Sequence, residues 1–286
     1  MIIETIHITR FTYDAPVVES TMEIRLAPLS DVHQRVLEFE LLVDPASRTF
    51  SFTDGFQNLV YCCNVLDAHD TLTLKTRSRV QTLLANPFER PAHGPAPLEA
   101  VDAWPYLQFR GPVDAGPGLE QLGREFTPSS EDVLGSLMAL MLAIHTDFEY
   151  QPDATTVSST VSDVLQLKQG VCQDFAHLMI AACRHMKLPA RYVSGYLVRS
   201  PGHENRGAEA SHAWCEVWLP DLGWLGFDPT NNLVAADSHV RVGIGRDYTD
   251  VPPTRGIHRG LAEEQVEVSV TTKRIDATIH SGPVLA

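Results

Sequence analysis

Cys172, His212 and Asp228 supply the three residue types from which covalent acyl transfer is built: a thiol nucleophile, an imidazole base and a carboxylate that orients the base. Cys172 follows Gly170-Val171 and precedes Phe175, Leu178, Met179, Ala182 and Met186, whose helical spacing gives one apolar, inward-facing side. The cysteine therefore sits at or beside a helix N-terminus. Unpaired N–H groups and the helix dipole favour an anion there, so the thiol ionises more easily.

His212 opens the segment Ser211-His212-Ala213-Trp214-Cys215-Glu216-Val217-Trp218-Leu219, and Asp228 lies in Trp224-Leu225-Gly226-Phe227-Asp228-Pro229-Thr230. Both read as strands, with Pro220-Asp221-Leu222-Gly223 as the turn between them. His212 and Asp228 share a face if opposed residues carry numbers that sum to an even value, a register the sequence leaves open. Singly, each residue has a plainer reading: a core thiol, a hydrogen-bonded strand histidine, an Asp-Pro turn former. Their coincidence in order, spacing and flanking sequence favours the triad.

Gly170-Val171-Cys172-Gln173-Asp174-Phe175-Ala176, His212-Ala213-Trp214 and Phe227-Asp228-Pro229-Thr230-Asn231, in this order, resemble the motifs of the transglutaminase-like superfamily, a group of papain-like cysteine enzymes. The resemblance implies Cys172 as nucleophile, His212 as general base and acid, and Asp228 as orienting carboxylate. Tyr13, Pro16, Arg25-Leu26-Ala27-Pro28, Gln34 and Asp54-Gly55-Phe56-Gln57-Asn58 resemble the N-terminal region that accompanies many bacterial members. The pattern departs at Gln57, where that region usually has glycine.

Around these residues the chain reads as α+β. Residues 1 to about 85 alternate over several short segments and predict an antiparallel β-sandwich-like domain, with a turn-like break at Tyr13-Asp14-Ala15-Pro16. Seven of the nineteen prolines fall between 86 and 118, which reads as an extended connection pinned by Trp104, Tyr106, Leu107 and Phe109. The expected division is a β-rich domain over 1–100 and a papain-like, transglutaminase-core α+β domain over 101–286. Short helices are expected at Leu119–Phe126 and Val161–Lys168. Thr127-Pro128-Ser129-Ser130 starts an amphipathic helix through Leu134, Leu137, Met138, Met141 and Ile144. Ala190–Val198 reads as a strand, Ser200–Ala210 as a loop before His212, and Val266, Val268 and Val270 as a final strand.

The formal net charge of −14 argues against nucleic acid and anionic membrane surfaces as partners. No long apolar run or leader-like segment is seen, so the cytoplasm is the expected location. The five cysteines show no disulfide or metal-site spacing, and Cys62, Cys63, Cys183 and Cys215 read as small core residues. Cys172, His177, Cys183 and His185 share a helix at offsets that do not converge on a zinc ion. No metal or cofactor is expected. Gln166, six residues before the cysteine, reads as an exposed helix residue rather than an oxyanion donor, and Trp214 stands between those two roles. The expected partner is a peptide or protein amide, with hydrolysis ahead of amine transfer because water is always present. A transglutaminase, or a non-catalytic peptide-binding module, is the alternative.

Overall fold

The computed structural model describes residues 1–84, 86–89, 98–126, 132–198 and 211–275. The first six strands are β1 (Ile2–Val17), β2 (Glu19–Ile24), β3 (Gln34–Asp44), β4 (Thr49–Thr53), β5 (Leu59–Val65) and β6 (His69–Thr82). All but β4 alternate because one face packs inward: Phe11, Leu72 and Leu74 from one sheet meet Met22, Ile24 and Cys63 from the other. The break expected at Tyr13–Pro16 is instead a register shift within β1, between Thr12 and Val17, so the strand bends without ending.

The helices are α1 (Ala100–Ala103), continued by a 3-10 turn at Trp104–Leu107, then α2 (Leu119–Glu125), α3 (Val133–Asp147) and α4 (Val161–Leu167). The helix start expected at 127–130 lies outside the described residues; Asp132 caps α3 by accepting from Gly135 N at 2.7 Å. Thr160 and Asp163 form a reciprocal capping box on α4. Short parallel strands β7 (Glu149–Tyr150) and β8 (Gln169–Gly170) bring the chain to α5 (Cys172–His185).

β9 (Ala190–Leu197), β10 (His212–Leu219), β11 (Gly223–Asp228), β12 (Leu233–Val234) and β13 (His239–Gly245) form one sheet, in the order β12-β11-β10-β9-β13. Helix α5 lies on one face of it, where Phe175, Leu178, Met179 and Ala182 pack with Ala213, Cys215 and Val217. Tyr196, Val198, Val240 and Val242 pack with Ile3, Val80 and Val270 of the sandwich. The second sheet is thus a slab between the nucleophile helix and the β-domain.

The chain then returns. β14 (Thr254–Arg259) pairs with β2, and β15 (Glu264–Ile275) pairs with β1 along its whole length. The sandwich sheets are β15-β1-β6-β3 and β14-β2-β5-β4. Residues 254–275, which the division at residue 100 counts with the second domain, therefore complete the sheets of the first.

Candidate functional site

Cys172 is the first residue of α5, half-buried, with the next twelve residues all buried. The turn before it is held by Asp174, whose Oδ2 accepts from Val171 N at 2.8 Å and Thr155 Oγ1 at 2.6 Å. Burial pushes the Asp174 carboxyl up, against these two hydrogen bonds. Gly170 is needed for space rather than for a turn: a Cβ there would stand 2.8 Å from Asp174 Cβ. Gln173 Nε2 donates to Val157 O at 3.2 Å, tying the same turn to the 151–160 loop.

The register of β10 with β11 sets Cys215 opposite Phe227 and Leu219 opposite Gly223. Opposed numbers sum to an even value, so His212 and Asp228 lie on one face. His212 Nε2 donates to Asp228 Oδ2 at 2.8 Å, both side chains being wholly buried. The carboxylate is itself held: Oδ1 accepts from Thr230 N at 3.0 Å and Asn231 N at 3.2 Å, and Oδ2 from Asn231 Nδ2 at 2.9 Å. His239 Nε2 stands 3.5 Å from the same Oδ2.

Burial alone would lower the proton affinity of His212, but the Asp228 charge and hydrogen bond outweigh it and push the imidazole up to about 10. Burial works equally against the Asp228 carboxylate, which His212 holds far below the usual range. The Cys172 thiol is close enough to raise the same imidazole further. With Nε2 taken by Asp228, the buried Nδ1 makes no hydrogen bond of normal geometry, and it is the ring nitrogen left for the thiol. The three residues singled out in the sequence thus converge, with a carboxylate, an imidazole and a helix-terminal thiol in series.

Trp214 resolves toward packing. Its indole is wholly buried and spans the sheet face from Gly195 on β9 to Gly226 on β11. A Cβ on Gly195 would stand 2.6 Å from the ring, and one on Gly226 3.2 Å from Nε1. His239 meets the ring edge-on at a centroid distance of 5.1 Å. Gln166 is exposed on α4, beside a cavity of about 560 Å³ lined by residues of α2, α3 and α4. The loop 200–210, with His203, lies outside the described residues. Among the described residues no His, Cys, Asp and Glu cluster is arranged to hold a metal ion, and no helix is long and apolar enough to cross a membrane.

Three positioning residues carry little signal in sequence. Asn231 was visible only as the end of the Phe-Asp-Pro-Thr-Asn motif, and His239 lies eleven residues beyond Asp228 in a strand not expected. Arg184, deep in α5, donates to the carbonyls of Tyr106, Gln108, Ala190 and Arg246, fastening the connection after α1 to the helix that carries Cys172.

Sequence comparison matches residues 120–229 to the transglutaminase-like superfamily core and residues 3–81 to the bacterial transglutaminase-like N-terminal region. An uncharacterized protein of Mycobacterium tuberculosis is 35% identical over 282 residues, covering 92% of this chain and 90% of that one. The chain belongs to the transglutaminase-like superfamily. A Mycobacterium leprae relative of this transglutaminase-like protein is 31% identical, covering 94% of the chain and 98% of the relative. A protein-glutamine gamma-glutamyltransferase of Pseudomonas aeruginosa is 25% identical over 214 residues, 68% of the chain but 30% of that enzyme. In fold, the chain is similar to the crystal structure of "a Putative Cysteine Protease from Cytophaga hutchinsonii", with a TM-score of 0.75 at 23% identity, covering 97% and 92% of the two chains. The transglutaminase-like protein thus has an N-terminal β-domain and a papain-like core.

Proposed function

We propose that this transglutaminase-like protein transfers acyl groups from peptide or protein amides through Cys172, His212 and Asp228, with water as the usual acceptor. The observation that carries this reading is the division of the His212 ring: Nε2 is committed to Asp228 and Nδ1 is left free on a buried imidazole that the Cys172 thiol already influences.

Cys172 and His212 rest as a thiolate and an imidazolium protonated on Nδ1, which Asp228 stabilises and orients. The thiolate attacks the amide carbon, and the carbonyl becomes an oxyanion beside the first turn of α5. The Cys172 N–H would serve it there; one such donor is typically worth about 3 kcal/mol. Nδ1–H then protonates the departing amine as the C–N bond breaks, leaving a thioester. Water, deprotonated by the same nitrogen, attacks the thioester and restores the thiol with release of the acid.

A second reading, in which a lysine amine replaces water, draws on the likeness to the Pseudomonas aeruginosa glutamyltransferase. One experiment tests both. The protein is incubated with casein and monodansylcadaverine, and new amino termini, released ammonia and dansyl incorporation are followed. Hydrolysis predicts new termini, or ammonia in excess of the dansyl incorporated, lost in Cys172→Ala. Dansyl incorporation matched one for one by released ammonia, without new termini, identifies amine transfer, and none of the three overturns the enzymatic reading.

A further inference from the structure

Strand β14 leaves an edge of the sandwich open. It is paired on one side, to β2, and is the terminal strand of its sheet. The backbone N–H and C=O groups along the other side are those a further strand would use. Ile257 on this strand is 77% exposed. A groove of about 690 Å³ lies along β14, walled by Pro112, Val157, Tyr248, Pro252 and Arg255.

Two hydrogen bonds join the inner wall of this groove to the nucleophile helix. Gln173, next to Cys172, donates to Val157 O at 3.2 Å, and Tyr248 N donates to His177 Nε2 at 3.1 Å. Tyr192, whose ionisation the Cys172 thiol opposes after burial, packs edge-on against Tyr248 at 6.3 Å. The inner wall of the groove is therefore anchored to the first turns of the helix that Cys172 opens.

Its outer wall carries charge of one sign. Arg255 is exposed and donates to Thr249 O at 3.3 Å, yet has no carboxylate partner among the described residues. The neighbouring arginines are engaged: Arg246 and Arg110 with Asp250, and Arg25 with Glu23. In a chain of net charge −14, an unpaired guanidinium lining a groove anchored to the Cys172 helix selects for an anion.

We infer that the substrate is an extended peptide segment that adds as a strand to the free edge of β14 and sets an acidic side chain against Arg255. Main-chain hydrogen bonds then supply sequence-tolerant affinity, and Arg255 supplies the preference, as in other strand-addition complexes. The inference rests on the acyl-transfer reading for its meaning, but it is tested by binding alone.

Two fluorescein-labelled undecapeptides of alternating valine and glutamine are compared, one carrying three glutamates and the other three lysines at the same positions. They are titrated into full-length Cys172→Ala protein, which binds without reacting, and anisotropy is read. A single exposed ion pair reaches roughly fivefold in affinity, so the glutamate peptide should bind about fivefold or more tighter than the lysine peptide. In Cys172→Ala/Arg255→Glu protein the order should invert. The glutamate peptide N-methylated at alternate residues should bind at least tenfold more weakly, because it cannot donate to the strand edge. Equal binding of both peptides, no binding of either, an unchanged order in the Arg255→Glu protein, or full affinity of the methylated peptide each overturns the proposal. None of these results depends on whether Cys172 is an activated nucleophile, so the two readings fail separately.

Discussion

The side-chain amide of Gln34 gives Arg241 both hydrogen bonds that a neighbouring strand would give: Nε2 donates to Arg241 O and Oε1 accepts from Arg241 N, each at 2.8 Å. Asn58 does the same for Ile244, also at 2.8 Å in both directions. β13 is the edge of the sheet that carries His212 and Asp228. Two amides from the β-domain therefore close that edge, and both belong to the N-terminal pattern visible in the sequence. The β-domain is a structural complement of the core sheet rather than an appended module.

Without the Gln34 amide the buried Arg241 N–H loses its acceptor and Leu29 O loses its donor, while Arg241 O keeps Leu29 N at 3.1 Å. Gln34→Ala should lower stability by about 2–3 kcal/mol, seen as an earlier urea midpoint with unchanged slope. A loss under about 0.5 kcal/mol would mean that water replaces the amide at no cost.

Gln57 has φ of +69°, in the left-handed region that favours glycine. The turn is held nonetheless, because Asp54 Oδ1 accepts from Phe56 N and Asn58 N, each at 2.9 Å. This explains why the related pattern carries glycine at that position. Gln57→Gly should raise stability by up to about 1 kcal/mol, the side-chain strain relieved less the extra chain entropy of glycine. Thermal unfolding of the variant checks this, and a lower melting temperature would contradict it.

The candidate site was legible because its three residues sit in local motifs on strongly patterned elements: a one-faced helix and two aromatic-rich strands. Other elements lacked a pattern. β4 is exposed at every residue, so nothing alternates. β13 is buried at every residue, His239 and Arg241 included, so its polar residues disguise a core strand. Arg241 is tolerated there because Glu216 Oε1 and Asp31 Oδ2 accept from it at 2.6 and 3.0 Å. The return of residues 254–275 to the sandwich is a long-range pairing, and no local signal reports a partner 250 residues away.

The indole of Trp214 sits in a slot that two glycines open. A Cβ on Gly195 would meet Val240 O at 2.1 Å as well as the ring, and the backbone atom cannot step aside. Gly195→Ala should therefore cost roughly 1–3 kcal/mol as an overpacking change and, by displacing Trp214, slow alkylation of Cys172. A variant as stable and as reactive as the parent would show that the slot is slack.

The His212–Asp228 pair makes stability depend on pH with a defined sign. The imidazole is raised to about 10 from an ordinary value near ~6.5. Its contribution is complete below about pH 6.5 and is lost as pH climbs through about 10. The Asp228 carboxyl is lowered, so its share is present above about pH 4 and is lost only as pH falls below that value. Asp228→Asn should cost most stability near about pH 5–6 and progressively less toward about pH 10. Urea unfolding of the two proteins across that range checks this, and a gap that widens with pH would contradict it.

If Cys172 is an activated nucleophile paired with His212, the rate of iodoacetamide alkylation against pH reports it. Cys62, Cys63, Cys183 and Cys215 are buried, so Cys172 is the thiol the reagent can reach in the folded protein. Labelling of Cys172 near neutral pH should be much faster than that of an ordinary thiol. It should be lost in Cys172→Ala and slowed toward ordinary behaviour in His212→Ala. Labelling of Cys172 that is no faster than that of an ordinary thiol, and is indifferent to His212, would contradict it.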